Sequence, residues 1–174
     1  MRRFTSSLLS LLVASLAGCG GSAYSSTGPQ QTASTSIVAI SPASGASDLA
    51  VTSVITITFD HAVMLGMERY LSLHQDALTG PTVAGTATRS SDGTRLTFTP
   101  AAPLRSRTTY VLHVGGGMVD DSGHAVDYGR CASLGGRSAS GSMMGGGMMG
   151  GAEMGAGWKG RDGAYGMLFT FTTG

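Results

Sequence analysis

Val54-Ile55-Thr56-Ile57-Thr58-Phe59 is the stretch whose reading decides the fold. Ile55, Ile57 and Phe59 recur at every second position with threonines between them. That is the period of a half-buried strand, built from the β-branched and aromatic residues that strands favour. Downstream the pattern returns. Residues 94–99 place Leu96 and Phe98 on one face, behind the tight turn Ser91-Asp92-Gly93. Residues 108–114 place Tyr110, Leu112 and Val114 inward and turn His113 to the outward face. Residues 167–172 close the series, and weaker runs lie at 37–40, 70–74 and 81–88. About seven short antiparallel strands with turn signals between them, and no convincing helix, predict an all-β sandwich. About 90 ordered residues suffice for one such core.

Upstream of the first strand the chain changes character. Met1-Arg2-Arg3 precedes an apolar run from Phe4 to Ala17, which ends in Leu16-Ala17-Gly18-Cys19. A short basic segment followed by an apolar one of this length reads as an export signal, too short to span a bilayer as a helix. Its end resembles the lipobox of bacterial lipoproteins. That resemblance implies cleavage after residue 18 and lipidation of Cys19, which would anchor the mature chain in a membrane. Gly20 follows where an aspartate usually marks inner-membrane retention, so the outer membrane is favoured. Residues 19–36 are rich in serine, threonine, glycine and glutamine and read as a flexible tether. The domain is expected over 37–174.

Export removes two of the 11 basic side chains and none of the 10 acidic ones, leaving nine against ten. A nearly neutral chain with a single lysine, Lys159, has no basic patch for nucleic acid. With Cys19 lipidated, Cys131 has no partner within the chain. An internal disulfide framework is then excluded, and a buried or oxidised thiol or a soft metal ligand remains.

Five short motifs occur in one family's order. They are Ile40-Ser41-Pro42-Ala43-Ser44-Gly45-Ala46, Ile55-Thr56-Ile57-Thr58-Phe59-Asp60, Leu96-Thr97-Phe98-Thr99-Pro100, Pro103-Leu104 with Thr108-Thr109-Tyr110, and Phe169-Thr170-Phe171-Thr172-Thr173. They resemble the bacterial Ig-like domains of the SbsA S-layer type from about residue 36 onward. The resemblance implies an Ig-like sandwich with an adhesive or structural role, and it supplies no catalytic residues. The chain departs from the family twice. His61-Ala62-Val63-Met64 stands where an acidic-proline-methionine run is usual. An insertion over about 129–166 follows the acidic turn Val119-Asp120-Asp121-Ser122-Gly123-His124 and precedes the last strand.

That insertion carries Met143, Met144, Met148, Met149 and Met154 on a backbone of mostly glycine and alanine. No apolar stripe runs through it, and glycine loses the most freedom on ordering, so it will not fold by itself. Thioethers are soft ligands that select Cu(I), and by the same softness Ag(I). They carry no proton to lose, so they bind at low pH as well. Two other readings stand beside this one: adaptable apolar filler or a partner-binding loop, and a repairable oxidant sink. His61, Met64 and Met67 form His-x-x-Met-x-x-Met, and His124 sits in the acidic turn. The loops after the second strand and before the last lie at one end of an Ig-like sandwich. His61, Met64, Met67, His124 and the tract are therefore expected to converge there.

Trp158 and Tyr165 are read as pinning the insertion to the sandwich, ahead of a glycan-stacking role. Asp120, Asp121 and Asp127 lack calcium-loop spacing and read as a solvated turn. No Gly-x-Ser-x-Gly elbow, no His-Glu-x-x-His and no glycine loop leading into a helix appears, so the chain reads as non-catalytic. The expectation is a lipid-anchored envelope protein that binds Cu(I) or Ag(I). The alternative is an Ig-like structural or adhesive module whose insertion contacts a protein or glycan.

Overall fold

The alternating runs pair as two antiparallel sheets in the computed structural model, which describes residues 34–139, 158–159 and 165–174. The strands are β1 (Ile37–Ser41), β2 (Ile55–Phe59), β3 (Leu71–Gln75), β4 (Gly85–Arg89), β5 (Arg95–Pro100), β6 (Thr109–Val114), β7 (Arg137–Ser138) and β8 (Met167–Thr172). One sheet has the order β1-β2-β5-β4 and the other β3-β6-β8-β7. Without β7 this is the constant-type immunoglobulin arrangement, four strands facing three. The seven expected strands are present. β7 is an addition the sequence does not announce: two residues of the insertion that pair with β8, Ser138 opposite Met167.

Period-2 alternation builds the core. Ile55, Ile57, Phe59, Leu96 and Phe98 come from one sheet and meet Leu73, Tyr110, Leu112, Val114, Phe169 and Phe171 from the other. Register aligns the large residues across β6 and β8, with Leu112 opposite Phe169 and Tyr110 opposite Phe171. The last two rings stack with centroids 6.1 Å apart. The Tyr110 hydroxyl accepts a hydrogen bond from the Arg105 backbone N–H at 2.8 Å. This ties the chain entering β6 to its own strand, in the manner of the tyrosine corner of Ig-like folds. The other face of β2 behaves as a solvated sheet face should: Thr56 and Thr97 sit opposite each other with hydroxyls 3.3 Å apart.

The second sheet breaks that symmetry. His113, expected on the outward face of its strand, is fully buried, and Val111 and Leu168 beside it are buried too. The alternation itself is intact, and His113 does point away from the core. The insertion covers that face: Ala139 packs with Val111, Leu168 and Leu78, the last from the segment after β3, and Tyr165 lies against them. A period-2 pattern specifies which face a residue occupies but not what another segment lays over it.

Candidate functional site

Two loops at one end of the sandwich carry the histidines, and backbone pairing holds them together. The loop after β2 is pinned by Val63, whose fully buried side chain enters the core. Its N–H donates to Gly93 at 3.0 Å, and the next N–H, from Met64, donates to the Val119 carbonyl at 3.0 Å. Val63 also bridges Asp120. Arg89 on β4 reaches both loops, donating from Nε to the Val63 carbonyl at 2.7 Å and approaching Asp121 at 3.4 Å.

Asp120 organises the second loop. Its Oδ1 accepts the backbone N–H groups of Ser122 and His124, each at 2.9 Å, and its Oδ2 accepts the Thr35 hydroxyl at 3.3 Å. Gly123 turns the chain at φ +81°, a left-handed conformation that glycine adopts without strain. Asp120 is only 6 % exposed. The sequence reading of a solvated acidic turn fails for this residue, because the turn folds around its carboxylate.

These loops bring His61 and His124 to one recess of about 250 Å³, walled by Thr35, Asp120, Asp121 and Ser122. His61 Nδ1 lies 3.1 Å from Asp60 Oδ1, and His124 Nδ1 lies 3.6 Å from Asp120 Oδ1. Both rings thus turn Nδ1 toward a carboxylate. In the neutral tautomer with Nδ1 protonated, each leaves Nε2 as a free lone pair. Burial alone would raise the Asp60 carboxyl, but the Ser36 N–H at 2.7 Å and the His61 ring outweigh it and hold it below its ordinary value. The Asp60 hydrogen bond to Nδ1 fixes the orientation of the His61 ring, whereas Asp120 stands near His124 without hydrogen-bonding its ring.

The methionines divide. Met64 is 37 % exposed on the same loop as His61. Met67 begins a 3-10 turn, Met67–Tyr70, and is buried in the core, where its sulfur accepts the Val119 N–H at 3.3 Å. Met67 therefore braces the two loops from beneath. Met143, Met144, Met148, Met149, Met154 and Cys19 lie outside the described residues. Among the described residues no group of three or more histidine, cysteine, aspartate or glutamate side chains could hold a metal ion. A site at the recess would need thioether donors to complete it. Cys131 is fully buried, and burial, with Asp127 adding to it, pushes its thiol up to about 11. A thiol so far from ionising is a core residue.

The roots of the insertion leave the sandwich at this same end. Trp158 packs edge-on against Tyr70, the last residue of the Met67–Tyr70 turn, with centroids 5.8 Å apart. The Trp158 carbonyl accepts the Gly116 N–H at 2.9 Å, on the segment that leads to Asp120. Ala139 and Gly166 pair next to β7 and β8. The pinning role expected of Trp158 and Tyr165 is what they perform. Sequence reasoning missed Asp60 and Asp120 as partners of the histidines. The adjacency of Asp60 to His61 and the four-residue spacing of Asp120 and His124 were the available signals. Arg89 gave none, since only folding brings β4 beside both loops.

Residues 31–129 match the family described as the bacterial Ig-like domain. No curated protein matches the chain. Among solved structures it is similar to the S-layer protein rSbsC(31-844), at 15 % identity and a TM-score of 0.40, covering 54 % of this chain and 12 % of that one. The chain thus spans about an eighth of that S-layer structure's length. It is also similar to PcoC, described as a methionine-rich copper resistance protein from Escherichia coli, at 13 % identity and a TM-score of 0.47. That comparison covers 82 % of this chain and 100 % of that one. CopC from Methylosinus trichosporium OB3b is similar at 22 % identity and a TM-score of 0.41, over 53 % of this chain and 84 % of that one.

Proposed function

The chain belongs to the bacterial Ig-like domain family, and from that premise we propose that it is a non-catalytic envelope protein holding a soft metal ion, Cu(I) or Ag(I). The donors are His61 and His124 on the sandwich, Met64 beside them, and Met143, Met144, Met148, Met149 and Met154 of the insertion. The observation that carries the reading is the pair of imidazoles in one recess, each backed by a carboxylate at Nδ1. Nitrogen and thioether donors in a two- or three-coordinate set suit Cu(I) and exclude hard cations. The insertion roots at the same end of the sandwich support a shared site. Cys19 anchors the protein to the membrane, with the outer membrane favoured by Gly20.

A Cu(I) competition titration tests this, under anaerobic reducing conditions, on a soluble form beginning at Gly20. The expected result is a Kd below about 1 µM, roughly −8 kcal/mol. Affinity should be lost on deleting residues 141–157 and weakened in a His61→Ala, His124→Ala double variant. No binding, or binding indifferent to the deletion, rejects the metal reading. An adhesive module would then be favoured by the family and by the exposed tip at Leu65, 76 % exposed, beside Met64.

A further inference from the structure

Among the described residues, Trp158 and Tyr165 of the insertion's outgoing end both meet the His113 side chain. The Trp158 indole stacks on its ring, with centroids 4.9 Å apart and planes 30° from parallel. Its Nε2–H donates to the Tyr165 carbonyl at 2.6 Å. Tyr165 N–H in turn donates to Ala139, whose own N–H donates to Gly166, so the incoming and outgoing segments are tied together at this point. Gly115 lies flat beneath the indole; a Cβ there would come within 2.8 Å of Trp158.

His113 is fully buried, and its Nδ1 has no hydrogen-bond partner among the described residues. With Nε2 donating, Nδ1 is a bare lone pair and the ring is neutral. A proton added there would be a buried N–H with no acceptor, which is costly. The groups around it offer no relief. From β3 come Ser72 and His74, 2.8 Å apart from Oγ to Nε2, with His74 Nδ1 3.3 Å from the Gly80 carbonyl. From the 3-10 turn come Tyr70 and Arg69, whose guanidinium lies 4.8 Å from the Tyr70 ring centroid. From the insertion come Tyr165 and Lys159, whose ammonium lies 5.5 Å from the Tyr165 ring centroid. Leu168 stands opposite on β8. None of these carries negative charge at neutral pH.

We propose that His113 is a proton-sensitive catch: neutral, it holds Trp158 and Tyr165, and through Tyr165 the Ala139 segment, on the outer face of the second sheet, and protonated, it releases them. Release uncovers Val111, Leu168 and Leu78, an apolar patch against which Ala139 and Tyr165 of the insertion pack. Trp158 and Tyr165 are then packed in a neutral compartment and freed in an acidic one. Burial, offset by the Tyr165 hydrogen bond and reinforced by His74, takes the held ring down to about 4 from an ordinary 6.5. The released ring recovers the ordinary value. By linkage, the opening equilibrium rises by as much as about 300-fold between neutral pH and pH below 4.

Trp158 is the chain's single tryptophan, so emission reports its packing against His113 and Tyr70. The expected result is a red-shifted step with a one-proton midpoint between about 4 and 6.5, while the far-UV signal of the sandwich stays unchanged. His113→Gln keeps a donor for the Tyr165 carbonyl and cannot titrate, so the step should vanish. An absent step in the folded wild type overturns the proposal, as does the same step in the Gln variant. A step that coincides with loss of the sandwich signal overturns it too, as global unfolding. Should the Gln variant fail to fold, NMR titration of the wild-type His113 ring decides: its midpoint must equal that of Trp158, and a different one refutes the catch.

Discussion

Asp120→Ala removes the acceptor around which the His124 loop folds. Two backbone N–H groups at 2.9 Å and one hydroxyl at 3.3 Å lose their partner. Hydrogen bonds to a charged acceptor contribute about 1.5–3 kcal/mol each when the donors stay buried. Ser122 and His124 are exposed, so water can replace the carboxylate for them, and about 1 kcal/mol each is the better figure. Thr35 is buried, and its hydroxyl adds up to about 1 kcal/mol. The sum is about 3 kcal/mol, and at about 1.5–2 kcal/mol per molar urea the midpoint should fall by about 1.5–2 M. Asp120→Asn keeps an oxygen in the same place and loses only the charge, so about 1 kcal/mol and about 0.5 M are expected. Urea unfolding followed by far-UV circular dichroism measures both. A midpoint for the Ala variant within about 0.3 M of wild type would refute the reasoning. So would an Asn variant as damaged as the Ala one, since charge rather than the acceptor would then organise the loop.

Three further outcomes follow from the same structure. Asp92, at the turn between β4 and β5, accepts the Ser90 hydroxyl at 2.6 Å and the Thr94 N–H at 3.1 Å, which hold its carboxyl down at about 2. A depressed carboxyl stabilises the fold above its ordinary 3.8 and loses that contribution as pH falls toward 2. The stability difference between wild type and Asp92→Asn should therefore shrink across that window and be flat above it. Cys131 should be silent to a thiol reagent at pH 8 in the native protein and react once urea unfolds the chain, because burial both hides it and keeps it protonated. Rapid native labelling would contradict its place in the core. Gly166→Ala should cost about 2 kcal/mol or more and shift Trp158 emission, since φ is +82° and a Cβ would collide with the Val114 carbonyl. An unchanged melting curve for that variant would show that the backbone there moves freely.

The loops illustrate how far local sequence reaches. Placing His61 and His124 at one end required only the order of strands, because an Ig-like sandwich fixes which loops share an end. That they meet in one recess depends on Val63 entering the core and on Arg89 linking both loops, which no spacing encodes. Met67 carries the same lesson from the other side. His-x-x-Met-x-x-Met makes three residues look equivalent, yet the 3-10 turn buries the third and leaves its sulfur bonded to Val119. A short motif gives the chemical type of each donor but not its solvent exposure.

The sequence by itself determined the class of fold, the two faces of each strand and the core they enclose. Side-chain alternation is local and has a fixed period of two, so Ile55, Leu96, Leu112 and Phe169 announce their burial without reference to any other segment. Tertiary structure alone decided the environment of residues that point away from that core. Thr56 and His113 both face outward, and nothing local distinguishes them. Thr56 remains on a partly solvated face, whereas His113 lies beneath Trp158 and Tyr165, which are far along the chain. Burial on an outer face depends on contacts across sequence, where desolvation changes the protonation chemistry of a residue whose own neighbours predicted an ordinary surface imidazole.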